Sequence, residues 1–414
     1  MFEDFKAMNK NALDQYTDIC TEAINVSDAK LTKSFQKVLL DVILLTVIIT
    51  GKKNFTQFGR FGKFTEQTYR NLFGRKRSES INWLKLNVTL ARRFFGSKGR
   101  WAIAIDPCFI QKAGKMTPHI GRFWSGCAQA VKHGLEIMGI GLVDMDSNNC
   151  IMLRAHQTPS QKELNLRDKS QVDHYIGVIK RYHKELLNMS DTVVADAFFS
   201  TSTFVNGIKK YGFFIVSRLR DNSCLFYIYD GEQKKRGRKR IKGDKIDFKK
   251  LDLARMELLD IDGLDGKVYT LFAYSKALKC KIRLVIWVMP NGKHKLFFSN
   301  DTSLTGEEVL KCYRTRFQIE FCFRDAKQFT GLVDCQARNP WKLDFAYNLS
   351  FAALNVAKVM MKEIGMDYSM ASFKMLMFNT YLTNRIFKAS GYRPNRTLIS
   401  KVFKDLVGLQ RKAA

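Results

Sequence analysis

Between Trp101 and Leu219 short apolar runs alternate with helical patterns, and that alternation limits the possible folds more than any other feature of the chain. WAIAID, LEIMGIGLVDMD and CIMLRAHQTP read as three strands. Lys169 to Leu187 then spaces Val172, Tyr175, Ile176, Ile179, Tyr182, Leu186 and Leu187 at helical intervals. TVVADAFF is another strand, Thr203 to Tyr211 another helix and FFIVSRL a fifth strand. Three strands, a helix, a strand, a helix and a strand specify an α/β domain.

The flanks differ in texture. Residues 1–95 show helical patterns and basic turns, punctuated by Gly59, Gly62 and Gly74, with Thr65 as a candidate cap before EQTYRNLF. They suit either a helix-turn-helix reader of DNA or an ordinary helical bundle with basic loops. Residues 96–220 hold the α/β pattern. Residues 221–304 carry the strand-like runs LFYIYD, KVYTLFAY, KIRLVIWVMP and HKLFFSN without a long helix, which predicts a β-rich insertion. One continuous helix is expected from Thr305 to Thr330, opened by a capping box of Thr305 and Glu308. It belongs to a returning segment, residues 305–335, and residues 336–414 read as helices with a basic tail.

Charge narrows the partners. Lys plus Arg number 69 against 39 Asp plus Glu, a net charge of +30. Such an excess suits a polyanion, because neutralised phosphates release counterions. The longest apolar run, VLLDVILLTVIIT, is interrupted by Asp41 and too short to span a bilayer, so it reads as a buried helix and no membrane partner is expected. The nine cysteines are scattered and lack a C-x-x-C pair, which points to reduced thiols. The start MFEDFKAMNK has no secretory pattern.

Two aspartates end apolar runs, Asp106 in AIAIDP and Asp196 in VVAD. Each reads as a turn former or, if the two strand ends face one pocket, as half of a site for a hard divalent cation. The Asp144 and Asp146 pair reads as a turn, and His156 and His174 as structural. On the expected late helix, Tyr313, Arg316, Glu320 and Lys327 are spaced by 3, 4 and 7 residues. They share one face within an arc of roughly 60°. A buried acid flanked by two cations and a tyrosine suits metal and phosphate binding better than a solvated surface does. The run from Lys234 to Lys250, including Lys235, Arg236, Arg238, Lys239 and Arg240, is opposed only by Asp244 and Asp247. It reads as a solvated loop or as a phosphate-contacting arm beside the site. Arg218 and Arg220, ending the fifth strand, are further phosphate candidates.

AIAIDP, VVADAFF and Y-x2-R-x3-E-x6-K together resemble the DDE transposases of bacterial insertion sequences, in particular the family-four group with a Tyr-Arg-Glu-Lys signature. The resemblance covers roughly residues 100–335. It implies an RNase H-like catalytic domain interrupted by a β-rich insertion; ahead of it, residues 1–95 are expected, from their own helical pattern, as a helical DNA-binding domain. It implies Asp106, Asp196 and Glu320 as the catalytic, metal-binding triad for two Mg²⁺ ions, with Mn²⁺ as a substitute. Tyr313, Arg316 and Lys327 would contact phosphates of double-stranded transposon-end DNA. An aromatic of the insertion would receive a flipped base; Trp287, Phe297 and Phe298 lie in that region, while Lys295 stands just before LFFSN. Cutting and joining to target DNA, a homodimer on DNA and a cytoplasmic, nucleoid-associated location follow from the same resemblance. A catalytically silent DNA-binding descendant and an RNase H-like nuclease without strand transfer are the alternatives.

Overall fold

The computed structural model describes residues 11–27, 31–74, 81–391 and 395. All the apolar runs expected as strands enter one mixed sheet. Its first part comprises β1 (Trp101–Gln111), β2 (Gly121–Ser125), β3 (Ala130–Asp144), β4 (Asn149–Gln157), β5 (Thr192–Val194) and β6 (Phe214–Leu219). β3 pairs antiparallel with β1 over its whole length, while β5 lies parallel between β1 and β6. Alternation of strand and helix enforces that parallel trio. α6 (Gln161–Asn165) and α7 (Gln171–Leu187) precede β5, and α8 (Ser202–Lys209) joins β5 to β6.

The segment expected as a separate insertion supplies β7 (Leu225–Ile228), β8 (Lys242–Lys245), β9 (Glu257–Leu259), β10 (Lys267–Ser275), β11 (Cys280–Val288) and β12 (His294–Ser299). These strands do not form a sheet of their own. β12 pairs antiparallel with β6, so the order runs β2-β3-β1-β5-β6-β12-β11-β10-β7-β8, with β4 on β3 and β9 on β10. Backbone donors on the open edge of β6 need partners, and the strands of the insertion supply them. This half of the sheet is also strongly curled. Phe248, just past β8, stacks on His294 of β12 at 4.9 Å, although β7, β10 and β11 separate the two strands in the order. Only six residue steps lead from the end of β6 to the start of β7, a reach of about 21 Å. Within the curl lies α9 (Gly306–Thr315), packed on β6, β10, β11 and β12. Its first residue is a glycine because a Cβ there would meet Thr270 at 2.6 Å.

The helical flanks share one core. N-terminal helices α1 (Ala12–Val26), α2 (Lys33–Ile48), α3 (Phe55–Phe61), α4 (Glu66–Gly74) and α5 (Trp83–Phe95) pack with α11 (Pro340–Glu363) and α12 (Met370–Ser390). α10 (Gln318–Phe329) lies between them and the sheet. Asn355 of α11 donates to the Met152 carbonyl at 2.6 Å and to Asn87 of α5 at 2.9 Å. Tyr16 of α1 donates to the Ala353 carbonyl at 3.0 Å. The described helices of residues 11–95 are therefore tied to the C-terminal helices and to β4 rather than standing apart. α2 is the buried helix expected from VLLDVILLTVIIT; its Asp41 is satisfied inside by the Tyr69 hydroxyl and by the Lys63 N–H. None of the described helices is long and apolar enough to cross a membrane. The basic tail expected after Leu382 is helical as far as Ser390, and beyond residue 391 it lies, residue 395 apart, outside the described residues.

Candidate active site

Asp106 lies in the interior of its strand, not at the end. β1 runs on through Pro107 to Gln111 because β3 pairs with it as far as Gln111 opposite Gly134. Its other neighbour, β5, stops at the Ala104–Val194 pair. Two residues before Asp106 the strand thus becomes a local edge, where a proline is tolerated. The backbone partner of Asp106 is Gly139, so both face the same side of the sheet.

Glycine at that point decides what covers Asp106. A Cβ on Gly139 would meet the Phe323 ring of α10 at 2.5 Å, and one on Gly141 would meet the Cys150 sulfur at 2.7 Å and Ile319 at 3.5 Å. The two glycines let α10 lie directly on the strand pair, which brings Glu320 to the Asp106 side of the sheet. Asp196 arrives by a third route. It follows β5 and caps the short turn Ala197–Phe199, its carboxylate accepting from the Phe198 N–H at 3.1 Å. Ser217 of β6 donates to the Asp196 carbonyl at 2.8 Å, fixing this turn to the next strand.

The expected single helix is broken between Thr315 and Gln318. Thr315 bonds back to the Lys311 carbonyl at 2.9 Å, a contact that bends helices. Next come the tighter bonds from Ile319 N to the Arg316 carbonyl and from Glu320 N to the Phe317 carbonyl. The Thr305 and Glu308 capping box at the start is present. Arg316 sits at the break and points into the acid cluster. Its guanidinium donates to Glu320 at 2.8 Å and reaches Asp106 at 3.4 Å. Arg316 is only 12% exposed and Asp106 17%, against 39% for Glu320 at the rim. The Arg316 Nε is buried without a hydrogen-bond partner.

The three acids lie within reach of one another's charge. Burial, with Asp196, Glu320 and Glu136 adding repulsion, pushes Asp106 up to about 7 against the pull of Arg316. Asp196 is raised as well, first by burial and then by Glu320, while Arg316 and the Phe198 N–H oppose the shift. Burial works against the Arg316 charge, but the Asp106 and Glu320 carboxylates outweigh it and raise its pKa.

The remaining predicted residues divide. Tyr313 packs its ring on Phe297 at 4.9 Å and lies 5.8 Å from the Arg316 guanidinium. Lys327 neighbours the Cys108 thiol, two residues past Asp106 on the same face, and opposes the burial that pushes this thiol up to about 11. Arg218 lies within electrostatic reach of Tyr313 and pairs with Asp221 at 3.1 Å; Arg220 is exposed just past β6. Lys234, Lys235, Arg236, Arg238, Lys239 and Arg240 all lie on the exposed hairpin between β7 and β8, with Gly237 at a positive φ of 95°. Gln233 closes this hairpin through two 2.8 Å bonds to the Arg240 backbone, and the Arg240 guanidinium rests on the Tyr229 ring at 4.5 Å. No hydrogen bond or ion pair among the described residues joins the hairpin to the acids. Phe297 and Phe298 are core residues; Trp287 is partly exposed, covered by Lys295 at 5.0 Å, and donates to the Asp265 carbonyl.

Sequence reasoning missed Glu136, a buried carboxylate on β3 held by Tyr175 at 2.6 Å and Gln171 at 2.9 Å. A charged residue opening the apolar run LEIMGIGLV was the available signal, as were that run's two glycines. Asp144 is the turn former expected, accepting from Ser147, and Asp146 pairs with Arg100 and Lys311.

Residues 163–356 match the family described as Transposase DDE domain. That match supports a DDE transposase. It spans Asp196, the Tyr313 to Lys327 signature and Glu320, and it begins after Asp106. No curated protein matches the chain.

Three carboxylates are the donor chemistry a hard divalent cation takes. Among the described residues no three His, Cys, Asp or Glu side chains are gathered closely enough to hold a metal ion as they stand. Arg316 supplies the compensating charge instead. The donor set fits a divalent cation in kind.

Proposed function

We propose that the protein is a DNA transposase that cuts the ends of an insertion sequence and joins them to target DNA. The observation that carries the reading is Arg316 bridging Asp106 and Glu320, with Asp196, from a third distant stretch of chain, within reach of their charge. Burying repelling carboxylates together costs stability unless the site uses them, so a functional reason is called for. Asp106, Asp196 and Glu320 would hold two Mg²⁺ ions, or Mn²⁺ in their place. A bound pair of such ions supplies Lewis acidity for phosphodiester hydrolysis and transesterification.

The chain's own residues handle substrate. Arg316 and Lys327 present charged donors to the phosphates flanking the cut, and Tyr313 braces Arg316 from the Phe297 side. Arg218, Arg220 and the basic hairpin extend the cationic surface along duplex DNA. In the first step water attacks the phosphorus and the 3′ oxygen leaves. In the second, the freed 3′-OH attacks a target phosphodiester and displaces its 3′ oxygen. Two ends need two such centres, which favours a homodimer on DNA. The Tyr-Arg-Glu-Lys spacing supports membership in the family-four group.

The test is incubation with Mg²⁺ and DNA carrying the repeats that flank its own gene. Cleavage at the repeat followed by joining of the 3′ end to a second duplex is the expected result. Cleavage without joining would indicate the simple nuclease. Binding without cleavage would indicate the silent DNA-binding descendant.

A further inference from the structure

Arg316 stands where a cation bound by the acids would have to compete with it. It forks between Asp106 at 3.4 Å and Glu320 at 2.8 Å, and it belongs to the same helix break that carries Glu320. A guanidinium bridging two carboxylates repels an incoming divalent cation and occupies its ligands' lone pairs. The grip is nonetheless incomplete. The Asp106 contact is long for a charge-assisted bond, and the buried Nε has no partner. A second oxyanion, such as a DNA phosphate, would satisfy Arg316 better than this arrangement does. Lying 5.8 Å away, the Tyr313 ring offers the guanidinium a surface along which to turn.

We infer that Arg316 is a latch on the acid centre: it holds Asp106 and Glu320 until a DNA phosphate draws it away, so that divalent cation binding and DNA binding assist each other. The inference rests on the reading of these acids as the metal site. It assigns Arg316 two alternative partners rather than one fixed phosphate contact. Coupling of this kind is reciprocal, so DNA must tighten the cation by the same factor by which the cation tightens DNA. It also gives a reason for the exchange: free protein is spared a loaded centre until substrate is present.

The experiment reads binding, not activity. Mn²⁺ is titrated into the full chain and followed by electron paramagnetic resonance, with and without a precleaved end duplex and no target DNA. DNA-free Arg316→Gln should bind Mn²⁺ about tenfold or more tightly than the parent, since one bridging positive charge is gone. Arg316→Lys keeps the charge but cannot fork two carboxylates, and should fall between. The duplex should tighten Mn²⁺ on the parent protein and do so far less on Arg316→Gln. Unchanged Mn²⁺ affinity in both folded DNA-free variants would overturn the latch, as would equal tightening by DNA in parent and variant. Asp106→Asn added to Arg316→Gln separates the two ideas. If it leaves Mn²⁺ binding intact, the metal-site reading itself fails; if it abolishes binding while Arg316→Gln alone changes nothing, only the latch fails.

Discussion

The acid centre and the basic hairpin carry opposite charges and are assembled in opposite ways. The hairpin's cations are neighbours in sequence, project into water, and need only Gly237 and the Gln233 clasp to hold their shape. The acids are each solitary in sequence and come within reach of one another's charge only because a strand interior, a capped turn and a broken helix converge. Contiguous like charge is cheap at the surface, where water screens it. Gathering like charge in a partly buried site has to be enforced by the fold, and here Gly139 and Gly141, which let α10 lie on the strand pair, do the enforcing. The same contrast separates their expected roles: a diffuse field for holding DNA against a fixed constellation for chemistry.

The largest effect expected is on the acids. Asp106→Asn, Asp196→Asn or Glu320→Gln should lower cleavage at least about a thousandfold, while each variant still binds end DNA. Gel-shift and cleavage assays on the same preparations check this, and cleavage surviving in all three would break the comparison on its acidic side. Next comes the hairpin. Replacing Lys234, Lys235, Arg236, Arg238 and Lys239 with alanine should flatten the dependence of log affinity on log salt by about 0.9 for each phosphate no longer neutralised. Binding measured across a salt series decides it, and an unaltered slope would make the hairpin an ordinary solvated loop.

Smaller effects sharpen the rule that buried charge depends on the fold. Lys374 is an amine placed inside, donating to the Ile49 carbonyl at 2.7 Å. Burial, with the Lys53 charge adding to it, holds its pKa down to about 6 from the usual 10.5. The unfolded chain therefore binds more protons than the folded one between those values. Stability from this group rises as pH climbs through that window and is lost as pH falls toward 6, by a few kcal/mol at most. Lys374→Met should flatten the rise in unfolding free energy between pH 6 and 9, read by denaturant titration, by about the same amount. An identical pH profile would contradict this. Smallest is Gly139→Ala, whose Cβ must displace the Phe323 ring. A loss of about 1–3 kcal/mol in denaturant titration is expected, and no loss would mean that α10 can shift without penalty.

Several parts of this protein could be read from local pattern. The strand at AIAID, the helix at Lys169 to Leu187, the cap at Thr305 and the buried helix at VLLDVILLTVIIT follow from periodicity and capping chemistry, which involve only near neighbours. The residues of the acid centre were legible too, as types at suggestive spacings. Three features were not. Asp106 was expected at a strand end because Pro107 follows it, yet the strand continues, since its length is set by β3, a partner more than twenty residues away. The helix break at Arg316, where Ile319 and Glu320 bond three residues back instead of four, leaves the spacing of side chains nearly unchanged, so periodicity does not register it. The strands of residues 221–304 were visible, but not that they would extend the first sheet and curl around α9.

Sequence by itself determined where most of the long strands and helices lie, where the surplus of positive charge lies, and which acids are available. Those properties are fixed by side-chain chemistry and by contacts within a few residues. Only the tertiary structure decided that Asp106, Asp196 and Glu320 share one electrostatic site and that Arg316 lies between two of them. Such proximity is a matter of strand order and of the room left by two glycines, and no local stretch of chain contains it.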